Sequence, residues 1–130
     1  MKITLSPQQL IDCSSNKDYN NQGCTTGSAE NSFLYTIDNG ITSEPRYPYK
    51  GVQGDCSYTG DKKIFGITAC ANVKANSTKA LESALVQQPV AVMVESGSLQ
   101  FQFYKRGIFN GNCGSKVDSF MVLIGYGALE

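Results

Sequence analysis

Residues Leu99 to Tyr126, LQFQFYKRGIFNGNCGSKVDSFMVLIGY, constrain the fold more than any other stretch of the chain. An aromatic run comes first, with Phe101, Phe103 and Tyr104. A glycine-punctuated turn around Cys113 follows, from Gly107 to Gly114. An unbroken apolar run, Phe120 to Ile124, then closes on Gly125-Tyr126-Gly127. A short apolar run bounded by glycines predicts a buried strand. The loop before it sets Asp118 and Ser119 at the strand's mouth, and loops held on rigid scaffolds are where chemistry concentrates. Asp118 and Ser119 are therefore the first candidates for function.

The composition narrows the possibilities. The chain of 130 residues suits one domain, and a domain of that size buries roughly two-thirds of its unfolded surface. Eleven basic residues balance eleven acidic ones. A zero net charge lacks the electrostatic footprint of a nucleic-acid partner or an anionic membrane surface. No apolar run approaches the roughly 18–20 residues that a membrane span requires. The first ten residues, MKITLSPQQL, contain no apolar core of a signal peptide, so none is expected in the chain as it stands.

Histidine is absent altogether. The chain thus lacks the usual proton acceptor near neutral pH and the commonest metal ligand. Neither a metal nor another cofactor is expected. The five cysteines, Cys13, Cys24, Cys56, Cys70 and Cys113, are widely spaced with no C-x-x-C pair, a poor match to a zinc site. They read better as a disulfide framework in an oxidising compartment. Their odd number leaves at least one thiol unpaired or paired outside the chain.

The elements follow from local signals. Ser6-Pro7 opens a short helix that Cys13 closes, since Ser is a good N-cap and Pro is tolerated at the first helical position. Leu10 and Ile11 are expected to face inward. Residues 14–27 are loop by their Ser, Asn, Asp and Gly content. Ser28 to Asp38 is the clearest helix, with Phe33, Leu34 and Ile37 as an apolar stripe expected in the core and Asn39-Gly40 as its stop. Pro45 and Pro48 keep the next stretch irregular, with Tyr47 and Tyr49 expected to pack inward. Ile64 to Val73 alternates loosely and predicts a strand. Asn76-Ser77-Thr78 matches the N-glycosylation pattern, a hypothesis only if the chain is secreted, and capping of the next helix is the simpler account of the same residues. That helix is expected over Thr78 to Gln88, ending at Pro89, and Val90 to Val94 is expected as a buried strand.

Several of these segments resemble motifs of one known family. LSPQQLIDC, NNQGCTTG, GITSEPRYPYKGVQGDC, QQPVAVMVE, FQFYKRGIFNGNCGSKVDS and GYG occur in the order seen in papain-family, cathepsin L-like cysteine proteases. Those enzymes show patterns like LSEQELVDC, GCNGG, YPY with a following Cys, QPVSV, FQxYxxGIFxGxCG, LDHxV and GYG. The resemblance runs from Leu5 to Gly127. It implies an α+β class, a partial papain-like fold with part of a helical lobe (residues about 5–60) and most of a β-barrel-like lobe (residues about 61–127) in one truncated domain of residues 1–130. It also implies a Cys13–Cys56 disulfide, whose loop of roughly 40 residues would stabilise the fold by on the order of 3–4 kcal/mol. The family's compartments are secreted, lysosomal or vacuolar.

The departures from the family pattern bear on activity. The nucleophilic cysteine lies in a stretch like QGxCGSCWAF upstream of the first motif, together with the oxyanion-hole glutamine. The asparagine that orients the catalytic histidine lies in a later NSWG motif. Neither stretch occurs in these 130 residues. The catalytic histidine itself should follow Asp118, and Ser119 stands there. A hydroxyl accepts no proton near pH 7, so it cannot activate a thiol. The family's partners for Cys24 and Cys113 also lie outside this sequence, and Cys70 matches no family cysteine. Substrate-cleft positions carry over as Thr26 and Gly27, which stand in the family's GCNGG loop, and as Ser28, Ala29, Met93, Asp118 and Phe120. A bulky Phe120 where the family keeps a small residue would partly fill the pocket for the substrate's second residue. Plain core packing is the competing account of Met93 and Phe120.

Two functions are weighed: a non-catalytic homologue serving as a structural or protein-interaction module, and a fragment of a cysteine endopeptidase completed by another chain. Nothing in the sequence arranges Ser119 with Lys116 as a nucleophile and base. Without the family's central helix, the Ser28–Asp38 helix lacks its main packing partner, and exposed apolar surface of that extent marks an interaction site. A protein partner or self-association is therefore expected. Size-exclusion chromatography with light scattering should show an assembly larger than one chain, and a compact monomer would contradict this.

Overall fold

The computed structural model describes residues Lys2 to Ala128. It contains, in order, helix α1 (Pro7–Cys13), α2 (Ala29–Asn39), α3 (Thr78–Leu85), strand β1 (Val90–Val94), α4 (Leu99–Gln102) and strand β2 (Ser119–Leu123). Two 3-10 turns, Glu44–Arg46 and Gly60–Lys62, lie between α2 and α3. The chain divides into two compact units, one ending at Ala71 and the other starting at Asn72.

The first unit is built around α1. The Ser6 hydroxyl caps it by accepting from Gln9 N (3.0 Å) and also donates to the Tyr47 carbonyl (2.6 Å). Pro7 takes the first helical position, where the missing N–H costs nothing. The helix does not bury the residues expected. Leu10 and Ile11 are only half-buried, whereas Gln8 and Gln9 are fully enclosed. The reason is hydrogen bonding. Loop backbone groups with no strand or helix partner still require partners when buried, and a carboxamide offers two donors and an acceptor on one side chain. Gln9 donates to the Tyr35 hydroxyl (2.9 Å) and the Gly40 carbonyl (3.1 Å), and accepts from Thr42 N (2.8 Å). Gln8 donates to the Val52 carbonyl (2.7 Å) and to Asp12 Oδ1 (2.8 Å), and accepts from Lys50 N (2.8 Å).

Asp12 completes this network, accepting from Gly54 N (2.8 Å) and from the Tyr47 hydroxyl (2.9 Å). Next to it, Cys13 is bonded to Cys56 across a sequence separation of 43. A closed loop of that size restricts the unfolded chain by on the order of 3–4 kcal/mol. Cys13, Tyr35 and Tyr47 form the buried apolar cluster, with Leu10, Tyr19 and Tyr58 against it. Tyr19 meets Tyr35 edge to face at 5.2 Å between ring centroids, an arrangement aromatic pairs favour. Cys24, Cys70 and Cys113 are exposed free thiols.

Several expected positions shift, each for a local reason. In α2 the buried side chains are Tyr35 and Thr36, while Phe33 and Leu34 stand 41% and 42% exposed. The Tyr35–Gln9 bond and the Tyr35 packing turn that face inward instead. Phe33 thereby joins Leu5, Pro7, Leu10, Ile41 and Phe65 in lining an apolar groove of about 330 Å³. Tyr49 is exposed although Tyr47 is buried. The strand expected over Ile64 to Val73 reduces to one antiparallel bridge, Ile41 to Phe65. Helix α2 runs to Asn39, so no extended backbone remains for Ile67 and beyond to pair with.

In the second unit, α3 begins where the Ser77 hydroxyl accepts from Ala80 N (3.2 Å). It ends at Leu85 rather than Gln88; Gln87 N bonds back to the Ala84 carbonyl in a tightened turn (3.1 Å), and Gln88 N reaches the same carbonyl (3.2 Å). β1 and β2 pair antiparallel with Val90 opposite Leu123 and Val94 opposite Ser119. Neither is a buried strand: Met93, Phe120 and Val122 are 47%, 45% and 65% exposed, and Ile124, beyond β2, is 82% exposed. Residues opposite one another share a face, so Ala91, Met93, Phe120 and Val122 form the exposed face of the ribbon. Val90, Val92, Val94 and Leu123 lie on the half-buried face with Ser119.

The Asp12 interactions have a pH consequence. Burial alone raises its pKa, but the bonds from Gly54 N–H, the Tyr47 hydroxyl and Gln8, with the Lys50 charge, outweigh burial and hold it below the ordinary carboxylate value. A carboxyl whose folded pKa lies below its unfolded one adds stability that is present above the unfolded value and is lost as pH falls through the folded value. Urea unfolding of the chain should show its midpoint falling on acidification through this range, and Asp12→Asn should flatten that dependence while lowering stability at neutral pH. An unchanged pH dependence in the variant would refute the assignment.

Candidate functional site

The strand mouth singled out above is organised by one carboxylate. Backbone pairing continues one residue past the ribbon, with Asp118 N donating to the Val94 carbonyl (3.0 Å). This brings the Asp118 side chain over the turn that leaves β1. Its Oδ1 accepts from Ser96 N (2.7 Å) and from the Ser96 hydroxyl (2.8 Å), and its Oδ2 accepts from Gly97 N (3.0 Å). Gly97 suits this approach, because a Cβ there would lie 3.0 Å from Asp118 Oδ2. The Asp118 pKa is lowered, chiefly by the Ser96 N–H, then by the Ser96 hydroxyl. Hydrogen bonds that favour the charged form act in this direction.

Ser119, the first residue of β2, lies with its Oγ 2.6 Å from Ser96 Oγ. A hydroxyl has one proton to donate. The Ser96 proton goes to Asp118, so Ser119 is the donor in the Ser96–Ser119 pair. No group in this trio accepts a proton near neutral pH as imidazole does. The trio can hold the turn after β1 against the start of β2, and it carries no base for nucleophilic catalysis. Ser96 was not visible as a participant in the sequence, since it lies 22 residues from Asp118 in a turn of ordinary composition.

Around the trio, the turn leads into α4, where Ser98 caps by accepting from Phe101 N (3.3 Å). Phe109 meets Phe101 and Tyr104 with ring planes near perpendicular, at 5.4 and 5.9 Å between centroids, which ties the aromatic run to the glycine turn. Glu95 packs against Gly114, where an added Cβ would collide with the Glu95 carboxylate. Met93 and Phe120 are directly opposed on the exposed face. Strand alternation points Phe120 away from the face that carries Ser119. Met93, Asp118, Ser119 and Phe120 are thus gathered at one end of the ribbon.

The other sequence-selected positions, Thr26 to Ala29, belong to the first unit. Here Asn21 is the organiser. Its Oδ1 accepts from Ser28 N (2.8 Å), and its Nδ2 donates to Ser14 Oγ (2.8 Å) and Ser32 Oγ (3.2 Å). Gly27 sits against it, with a Cβ position 3.1 Å from Asn21 Oδ1. The Thr26 carbonyl accepts from Gln22 N (2.9 Å). Ser28 precedes α2 without a side-chain cap bond, and Ala29 opens the helix. Among the described residues no group of three Cys, Asp or Glu side chains could hold a metal ion. No helix among them is long and apolar enough to cross a membrane.

Comparison with known proteins places these features. Residues 1–130 match the family described as papain family cysteine protease. The chain is 41% identical over 127 residues to the oryzain beta chain of Oryza sativa subsp. japonica, covering 96% of this chain and 27% of that protein. It is 42% identical over 127 residues to a low-temperature-induced cysteine proteinase of Solanum lycopersicum, covering 96% and 36%. A crystal structure of the Carica candamarcensis cysteine protease CMS1MS2 in complex with E-64 superposes with a TM-score of 0.86 at 32% identity, covering 98% of this chain and 58% of that one. The chain belongs to the papain family of cysteine proteases. Its α+β fold is part of a papain-like fold, and it spans about a third or less of the length of these two relatives.

The Ser96 contacts lead to a direct measurement. Ser96→Ala removes the hydroxyl that bonds both Asp118 and Ser119. The Asp118 carboxyl, followed by NMR titration, should then titrate closer to the ordinary aspartate value, because the Ser96 N–H remains and only the hydroxyl is lost. A titration identical to the parent's would show that the hydroxyl plays no part.

Proposed function

We propose that this chain, as one truncated papain-like domain of residues 1–130, is a non-catalytic member of its family that serves as a structural or protein-interaction module. The observation that carries the reading is Ser119. It follows Asp118 at the position where the family motif has histidine, and its hydroxyl is engaged with Ser96. The chain contains no histidine at all. Nucleophilic catalysis by a family cysteine depends on an adjacent base that lowers the thiol pKa, and a serine hydroxyl cannot take that role. Exposed apolar side chains, Phe33 and Leu34 in one unit and Met93 and Phe120 in the other, support an interaction role, since exposed apolar surface marks partner sites. On this reading Thr26, Gly27, Ser28 and Ala29 of one unit, and Met93, Asp118 and Phe120 of the other, are positions inherited from a substrate-binding surface. The Cys13–Cys56 disulfide fits an oxidising compartment, and we place the protein in a secreted, lysosomal or vacuolar setting.

A second reading, a fragment of a cysteine endopeptidase completed by another chain, is favoured by the match to relatives named as cysteine proteinases. One assay separates the two. The purified chain, alone and mixed with a polypeptide carrying the family's CGSCW and NSWG segments, is given a fluorogenic peptide. Neither sample should turn it over, whereas Ser119→His in the mixture should produce hydrolysis if the family chemistry is otherwise intact. Hydrolysis by the mixture with Ser119 in place would overturn the non-catalytic reading.

A further inference from the structure

We propose that Asn76 is an N-glycan attachment site, because the fold leaves the Asn76 amide and the Thr78 hydroxyl exposed and unused while Ser77 between them caps α3. Asn76-Ser77-Thr78 is the only Asn-X-Ser/Thr triplet in the chain, and neither Ser77 nor Lys79 is proline. Asn76 sits in a turn with φ +55°, a left-handed conformation that Asn tolerates better than most residues. Asn76 and Thr78 are both exposed. Among the described residues, neither side chain enters a hydrogen bond, and only the Ser77 hydroxyl is engaged, with Ala80 N at 3.2 Å. Capping accounts for Ser77 and the turn accounts for Asn76. Nothing in the packing accounts for a Thr at position 78, the residue whose hydroxyl the attachment pattern requires. A glycan there would extend from a turn on the surface, which suits a bulky, solubilising group.

In the transfer, one Asn76 N–H is replaced by an N–C bond to the anomeric carbon of an oligosaccharide. The bond from that carbon to its lipid diphosphate carrier breaks, and the proton leaves with the diphosphate. The proposal is independent of the activity reading, since a glycan at Asn76 neither supplies nor removes a proton acceptor at Ser119.

The test is the peptide spanning Asn76 from the protein isolated from the tissue that makes it. Amidase deglycosylation in heavy-oxygen water should leave an isotope-marked Asp at position 76, and recovery of unmarked Asn76 alone would overturn the proposal. A second measurement does not depend on folding. The chain is translated behind a cleavable leader into microsomes, and translocated chains are scored by protection from added protease. Their band should shift on endoglycosidase treatment. Asn76→Gln and Thr78→Ala should abolish the shift, while Thr78→Ser and Ser77→Ala should keep it. A translocated parent chain unchanged by endoglycosidase would refute the site.

Discussion

Three polar side chains of one seven-residue helix hold the first unit together. Gln8, Gln9 and Asp12 reach the backbone of Gly40, Thr42, Lys50, Val52 and Gly54. Those residues lie in a proline-broken segment that forms no regular strand, only the isolated bridges Leu5–Ser43 and Ile41–Phe65, so several of its N–H and C=O groups take side-chain partners instead. A neutral–neutral bond contributes modestly, about 0.5–1.5 kcal/mol, but an unpaired buried group costs more. The network therefore fixes this segment against α1, with Gly40 and Thr42 buried and Lys50, Val52 and Gly54 at the surface. The apolar cluster of Cys13, Tyr35 and Tyr47 is small and is framed by it: Tyr35 bonds Gln9 and Tyr47 bonds Asp12. The disulfide to Cys56 secures the far end of the same segment.

The second unit uses the same device on a smaller scale. A two-stranded ribbon is marginal by itself, and Asp118 fastens its open end by accepting three hydrogen bonds from Ser96 and Gly97. Asp118 thereby anchors the turn after β1, and the residue beside it is a serine whose hydroxyl bonds Ser96. The Asp118 carboxylate and the hydroxyls of Ser96 and Ser119 are joined in one hydrogen-bonded chain.

Much of this was legible from particular residues. Ser6-Pro7 and Ser77 marked two helix starts correctly because capping is a local interaction between a hydroxyl and an N–H three residues on. The motif order identified the family. The inward face of α2 was misread, because Phe33 and Leu34 look like core on apolar content while Tyr35 is chosen by a hydroxyl bond to Gln9. The strand expected over Ile64 to Val73 failed because pairing needs an extended partner, and the partner segment was already helical. Ser96 carried no local signal, since its role arises only when the β1–β2 register brings it to Asp118.

The sequence by itself determined the family, the absence of any imidazole and the local caps and turns, because these depend on residue identity or on contacts within a few positions. Tertiary structure alone decided that Gln8 and Gln9 are buried while Phe33 and Phe120 are exposed, and that Ser96 shares its hydroxyl between Asp118 and Ser119. Those outcomes depend on which distant backbone groups lack partners, a quantity defined only once the chain has closed on itself.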